Sequence, residues 1–318
     1  MSVMNVRRRL IPAALASALG LGALTACSSD SAASGNTDKF DVVASFYPMA
    51  FLAEQIGGDH ANVTSLTEPG QEPHDLEIST KQRAQLEEAD AALYLKGLQP
   101  AVDEAVGQTG IKTKIDAAGL THLEDHGTGG HAHEGEESHA EEEEHARDPH
   151  VWLDPVKYAE IAQGVGKAFE KADPDHAADY KKNTAALVTK LKGLDSDFEN
   201  GLRNSKSKVF FTNHAAFGYL AERYGLTQEA ISGIDPESEP SGARVRELQQ
   251  EAKADGVTTV FYETLVSDKT AKTLARDANL KTDVLDPLEG ITDKSRGDDY
   301  FQVMEANLKA LQAALGAK

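Results

Sequence analysis

Short runs of apolar, β-branched and aromatic residues alternate with segments of helical period along most of this chain. That alternation constrains the fold more than any other feature. Phe40 to Ser45 reads as a strand. Met49 to Ile56 spaces its apolar residues as a helix does and stops at Gly57 and Gly58, which suit a helix C-terminus. Asn62 to Leu66 reads as a second strand, Thr80 to Glu88 as a helix and Ala91 to Leu95 as a third strand. Strands that alternate with helices pair in parallel, because each crossover needs a helix's length of chain. Two helical patterns follow, Pro155 to Ala172 and Asp175 to Leu202, and the second carries Leu187, Leu191, Leu194 and Phe198 at spacings of three and four. The alternation then resumes, with strands at Val209–Thr212, Thr258–Tyr262 and Thr282–Leu285. Helices are expected at Ala215–Tyr224, Ala243–Ala254, Lys269–Ala278 and Tyr300–Leu315. The expected fold is α/β: two lobes, each with a mostly parallel sheet flanked by helices, joined by one long rigid helix. The boundaries read as 39–173 for the first lobe, 174–205 for the connecting helix and 206–318 for the second. A cleft between lobes is the natural place for a ligand.

The N-terminus has a different character. Arg7, Arg8 and Arg9 precede an apolar stretch from Leu10 to Ala23, and Leu24-Thr-Ala-Cys27 follows. A basic flank, a short apolar core and small residues before a cut site mark a secretory signal, here 1–26. Leu24-Thr-Ala-Cys27 resembles the bacterial lipobox, whose cysteine takes a diacylglyceryl group and becomes the new N-terminus. Residues 27–38, rich in Ser, Ala, Gly and Asn, read as a flexible tether. The protein is therefore expected outside the cytoplasm, held to the outer face of the cytoplasmic membrane by lipid on Cys27. Cys27 is the sole cysteine, which excludes an internal disulfide and a thiolate-rich metal site. A formal net charge of −20 argues against a nucleic-acid partner. A monomer is expected.

The histidines carry the chemistry. Six of the eleven, His122, His126, His131, His133, His139 and His145, fall in one stretch at 122–147. Ten Asp or Glu and a single basic residue, Arg147, lie between His122 and His150. Such a stretch has too few apolar residues to bury a core and is expected to be a disordered loop. Its imidazoles suit borderline divalent metals, and its carboxylates raise the local cation concentration.

Three other histidines stand in stiff surroundings at the ends of expected elements. His74 lies in Glu68-Pro-Gly-Gln-Glu-Pro-His-Asp75, His150 in Asp148-Pro-His-Val-Trp-Leu-Asp-Pro155 and His214 in Phe211-Thr-Asn-His-Ala-Ala-Phe217. Loops at the carboxyl ends of parallel strands are where open α/β sheets bind ligands. Three such contexts together point to metal binding. Three imidazoles are neutral and want an anionic fourth donor, for which Asp286 and Glu289, in the loop after the last expected strand, are the candidates. Glu263 ends a strand and is a candidate to support a ligand, while His60 and His176 read as surface residues.

At these motifs the chain resembles the zinc and manganese solute-binding lipoproteins of bacterial ABC importers. The resemblance runs from Ala44-Ser-Phe-Tyr-Pro-Met49 through Gly57-Gly-Asp59, Glu72-Pro-His-Asp75, Asp148-Pro-His-Val-Trp-Leu-Asp-Pro155 and Thr212-Asn-His-Ala-Ala-Phe-Gly-Tyr219 to Asp286-Pro-Leu-Glu-Gly290. It implies two α/β lobes joined by a long helix, a metal between them, hand-off to a membrane permease, and His74, His150 and His214 as ligands. A histidine at position 214 and a long His/acid loop are similar to the zinc branch; members resembling manganese carriers place a carboxylate there. Imidazole suits zinc, whereas carboxylate and water suit manganese, so Zn2+ is expected ahead of Mn2+.

Three functions follow from a metal site of this kind. The leading expectation is a non-enzymatic zinc-binding protein that delivers its ion to an ABC-type importer. A zinc-dependent hydrolase would also use three protein ligands plus water, yet the chain has no His-Glu-x-x-His segment. A surface adhesin with incidental metal binding is the third.

Overall fold

The computed structural model describes residues 39–126 and 147–317. Its first sheet is built from β1 (Phe40–Ala44), β2 (Ala61–Ser65), β3 (Ala91–Tyr94) and β4 (Thr113–Asp116), in the order β2-β1-β3-β4. The second contains β5 (Val209–Thr212), β6 (Thr227–Ala230), β7 (Thr259–Tyr262) and β8 (Lys281–Val284), in the order β6-β5-β7-β8. Every strand pair in both sheets is parallel. The two sheets therefore have the same wiring, with a switch in strand order beside β1 and beside β5.

Helices α1 (Tyr47–Gly57), α2 (Thr80–Glu88) and α3 (Pro100–Gln108) supply the crossovers of the first sheet. Helices α4 (Pro155–Ala172) and α5 (Ala177–Leu202) follow it, and α6 (Gly218–Arg223), α7 (Gly242–Ala254), α8 (Lys269–Ala278) and α9 (Tyr300–Leu315) belong to the second half. Local chemistry sets several of the starts and stops. Ser79 and Gln82 form a reciprocal capping box at α2. Asp154 caps α4 through the N–H groups of Val156 and Lys157, with Pro155 preset in the first turn. Asn279 closes α8 in the left-handed conformation.

Both faces of each sheet are covered, so the strands alternate between two apolar clusters. Val42 and Phe210 face the large central core, whereas Val43 and Phe211 face two smaller outer cores. The central core draws on both halves of the chain, including Phe46, Phe51, Trp152, Phe198, Phe217 and Tyr300. The 26-residue α5 runs through it, burying Tyr180, Leu187, Leu191, Leu194, Phe198 and Leu202. Hydrogen bonds pin the halves together: Trp152 Nε1 donates to Pro287 O at 2.7 Å, and Tyr300 Oη donates to Trp152 O at 2.7 Å.

Several segments differ from the sequence expectation. α3 and the edge strands β4 (TKID) and β6 (TQEA) were not expected, since neither edge strand is apolar enough to announce itself. α6 begins at Gly218 rather than Ala215, because the Ala215 N–H is drawn to Gly233 O at 2.9 Å and the preceding residues stay in a loop. The stretch at 122–126, expected to belong to a disordered loop, is ordered: Leu123 is buried and Asp148 N donates to Glu124 O at 3.0 Å.

Candidate metal centre

His74, His150, His214 and Glu289 come together where loops leave the carboxyl ends of the strands. His74 sits in the loop after β2, within a turn closed by Leu76 N to Pro73 O at 3.2 Å and just after one closed by Gln71 N to Glu68 O at 3.0 Å. His214 follows β5, and its carbonyl accepts from Thr212 Oγ1 at 2.7 Å and Gln228 Nε2 at 2.9 Å. Glu289 follows β8. Its predecessor Leu288 is buried with φ +60°, a left-handed conformation that costs a leucine roughly 1–2 kcal/mol and turns the chain so that Glu289 points inward.

The donor atoms converge closely. Glu289 Oε1 lies 3.2 Å from His74 Nε2, 3.2 Å from His150 Nε2 and 3.3 Å from His214 Nε2. The Nε2 atoms of His150 and His214 are 3.4 Å apart. A tetrahedron with arms of about 2.0–2.1 Å, the usual zinc–nitrogen and zinc–oxygen lengths, has edges of about 3.3–3.4 Å. These four separations match that edge, and all the donor atoms lie within 4.8 Å of one another, a spacing that suits a single zinc-sized ion.

Two carboxylates orient the rings from behind. His150 Nδ1 donates to Asp148 Oδ1 at 2.8 Å, and His214 Nδ1 donates to Glu263 Oε1 at 2.7 Å. Each such bond fixes the ring and turns Nε2 toward the cluster. Asn213 also donates to Glu263 Oε1, at 3.0 Å, holding that carboxylate in place. Burial alone would lower the histidine pKa values, but Asp148 raises that of His150, and Glu263 with Glu289 raises that of His214 well above the ordinary range. Glu289 is itself held well below the usual carboxylate range: burial opposes ionisation, and the three imidazoles outweigh it. Its second oxygen, Oε2, is buried with no hydrogen-bond partner among the described residues. A buried carboxylate oxygen without a donor is costly, and a cation at the cluster would supply what it lacks.

Asp286, the alternative fourth donor, stands outside this group. Its Oδ1 accepts from Leu288 N at 2.9 Å, and its Oδ2 from Thr264 Oγ1 at 3.1 Å and Ser295 Oγ at 3.2 Å. It shapes the turn that carries Glu289. Burial pushes its pKa up to about 6.

Of the His-rich stretch, His122 is exposed and His126 is packed against Tyr219, with ring centroids 4.2 Å apart. His131, His133, His139 and His145 lie outside the described residues, as do the signal segment and the whole tether, Cys27 included. His60 and His176 stack on each other at 4.1 Å beside Asp179 and Asp173, away from the cluster. Asp148, Glu124 and Glu222 are functional candidates that only the structure brings out. Asp148 had a signal, being two residues before His150 in a rigid Asp-Pro-His motif; the other two meet only through the tertiary fold.

The family model described as zinc-uptake complex component A, periplasmic (ZnuA), matches residues 42–314. The chain belongs to this family. It is 40% identical over 305 residues to the zinc-binding lipoprotein AdcA of Streptococcus pneumoniae, a match that covers 91% of this chain and 58% of AdcA. The chain thus spans less than two thirds of that relative's length. It is 35% identical to the high-affinity zinc uptake system protein ZnuA of Bacillus subtilis, over 94% of this chain and 98% of that protein. The crystal structure of the Zn(II)-bound ZnuA-like domain of S. pneumoniae AdcA superposes with a TM-score of 0.72 at 36% identity, covering 87% of this chain and 99% of that domain. Such neighbours share the two-lobed α/β fold.

Proposed function

We propose that this protein captures zinc outside the cytoplasmic membrane and delivers it to the permease of an ABC-type importer, with His74, His150, His214 and Glu289 as its ligands. The observation that carries this reading is the approach of Glu289 Oε1 to all three Nε2 atoms and of His150 Nε2 to His214 Nε2, at 3.2–3.4 Å, the edge length of tetrahedral zinc. Three imidazoles and one carboxylate also favour zinc over manganese. Zinc is the cargo. Three neutral imidazoles and the Glu289 carboxylate replace its water shell, and protons held by His150 and His214 leave as it enters.

The site binds without turnover. Catalytic zinc keeps an open position for water, whereas here Glu289 takes the fourth corner. Release to a permease follows from local movement of the His74 and Glu289 loops, because the core shared by the two halves and threaded by α5 resists wide hinge opening.

The chain divides into a signal peptide at 1–26, a tether at 27–38, an N-terminal lobe at 39–173, a connecting helix at 174–205 and a C-terminal lobe at 206–318. Lipid on Cys27 anchors a monomer to the outer face of the membrane, and the His/acid stretch at 122–147 gathers ions for the metal centre.

A deletion strain grown under a zinc chelator tests this. Growth should fail, recover with added zinc or the intact gene, and not recover with a His74→Ala copy. Growth that is indifferent to zinc, as for a surface adhesin, would overturn the reading, and so would zinc-dependent hydrolysis abolished by His74→Ala.

A further inference from the structure

The geometry points to a second zinc site in the folded protein, formed by Glu124, His126 and Glu222 and joined to the first through Asp148. Single donor atoms from these three residues all lie within 4.8 Å of one another. They come from distant parts of the chain: Glu124 and His126 from the segment that follows β4, and Glu222 from α6.

The construction repeats that of the first site. His150 gives its Nδ1–H to Asp148 Oδ1 and turns Nε2 toward Glu289. His126 gives its Nδ1–H to the other oxygen, Asp148 Oδ2, at 2.9 Å, and turns Nε2 toward Glu222 Oε2, also at 2.9 Å. A carboxylate on one ring nitrogen with the other facing acidic donors is the arrangement that prepares a histidine for metal. One carboxylate performs it for two rings, one on each of its oxygens.

The fold also makes room for this ring. A Cβ at position 218 would lie 2.5 Å from His126 Cβ and Cγ and 2.9 Å from Asp148 Oδ2, so only glycine permits the approach. Tyr219 completes the frame: its Oη accepts from Glu124 N at 2.8 Å and donates to Asp148 O at 2.8 Å. Glu124, Glu222 and Asp148 then bring three carboxylates together, with Lys157 on Glu124, the His126 ring between the other two and His150 on Asp148. A divalent ion bound through His126 Nε2 and the two glutamates would take the place of the Nε2 proton shared with Glu222, with water filling its remaining positions. One nitrogen and two oxygens, at a half-open surface, bind zinc less tightly than the buried three-histidine centre. This site therefore fills second and holds an ion one carboxylate away from the first.

Crystals of the full mature chain, grown with several molar equivalents of zinc and measured at the zinc absorption edge, test this. The expected result is two anomalous peaks, one among His74, His150, His214 and Glu289, the other about 2.0–2.2 Å from His126 Nε2 and from Glu222. Glu222 is 59% exposed, so Glu222→Gln leaves the fold intact. It should remove the second peak and leave the first. A first peak alone in the wild-type protein, with Lys157 still on Glu124, would overturn the proposal, and so would a second peak that persists in Glu222→Gln. The two peaks are read separately, so failure of this site is distinguishable from failure of the other.

Discussion

Asp148 accepts the Nδ1–H of His150 on one carboxylate oxygen, at 2.8 Å, and that of His126 on the other, at 2.9 Å. It is buried, and burial alone would raise its pKa, but the two imidazoles hold it at about 2. Asp148→Asn keeps the shape and offers an amide where His150 needs an acceptor. Zinc affinity, measured by competition with a chelator, should fall about 10–100-fold, as is usual when the partner of a ligand histidine is removed.

The same residue makes a statement about acid stability. Its folded pKa lies below its unfolded value, so its contribution is present above pH ~4 and is lost as the pH falls toward 2. That contribution is about 2 kcal/mol for a shift of this size. Urea melts of the metal-free protein should show the wild type losing more stability than Asp148→Asn between pH 6 and pH 3.

Glu289 and Asp286 are separable by substitution. Glu289→Gln removes the anionic corner of the tetrahedron and should weaken zinc binding at least as much as Asp148→Asn does. Asp286→Asn can still accept from Leu288 N, so the turn that carries Glu289 is kept and zinc affinity should fall less than in Glu289→Gln. Isothermal titration of both variants checks this; equal losses would mean that Asp286 binds the ion.

Zinc entry should expel protons. The pKa values of His150 and His214 are raised, so the metal-free protein holds protons near neutral pH that the bound form cannot keep. Calorimetry in two buffers of different ionisation enthalpy should report net proton release at pH 7. Apparent affinity should rise with pH and fall as the solution is acidified.

Two glycines test the packing of the long helix. A Cβ on Gly166 of α4 would stand 2.2 Å from Thr184 Oγ1 of α5, whereas one on Gly193 of α5 would meet nothing within 4 Å. Gly166→Ala should destabilise by about 1–3 kcal/mol through overpacking. Gly193→Ala should stabilise by up to about 1 kcal/mol through helix propensity. Thermal melts should move in opposite directions.

Much of this was legible because the signals were local. The apolar strands β1, β3, β5 and β7 and the leucine spacing of α5 are periodic features that read the same in sequence and fold. The three Pro-, Gly- or Asn-framed histidine motifs could be recognised one at a time. β4 and β6 were not legible, because edge strands of four polar-rich residues are held by their neighbours' hydrogen bonds rather than by their own hydrophobicity. Nor could sequence choose between Asp286 and Glu289: they are three residues apart, and the left-handed turn at Leu288 decides which one faces inward. His126 looked like one more histidine of an acidic stretch, because its partner Glu222 is 96 residues away.

The central claim is that His74, His150 and His214 hold the transported zinc. Chelator-competition titration of the wild-type protein and of the three single His→Ala variants tests it most directly. One tight site should be present in the wild type and lost in each variant, with circular dichroism showing the fold retained. A variant that keeps wild-type affinity at the tight site would contradict the account.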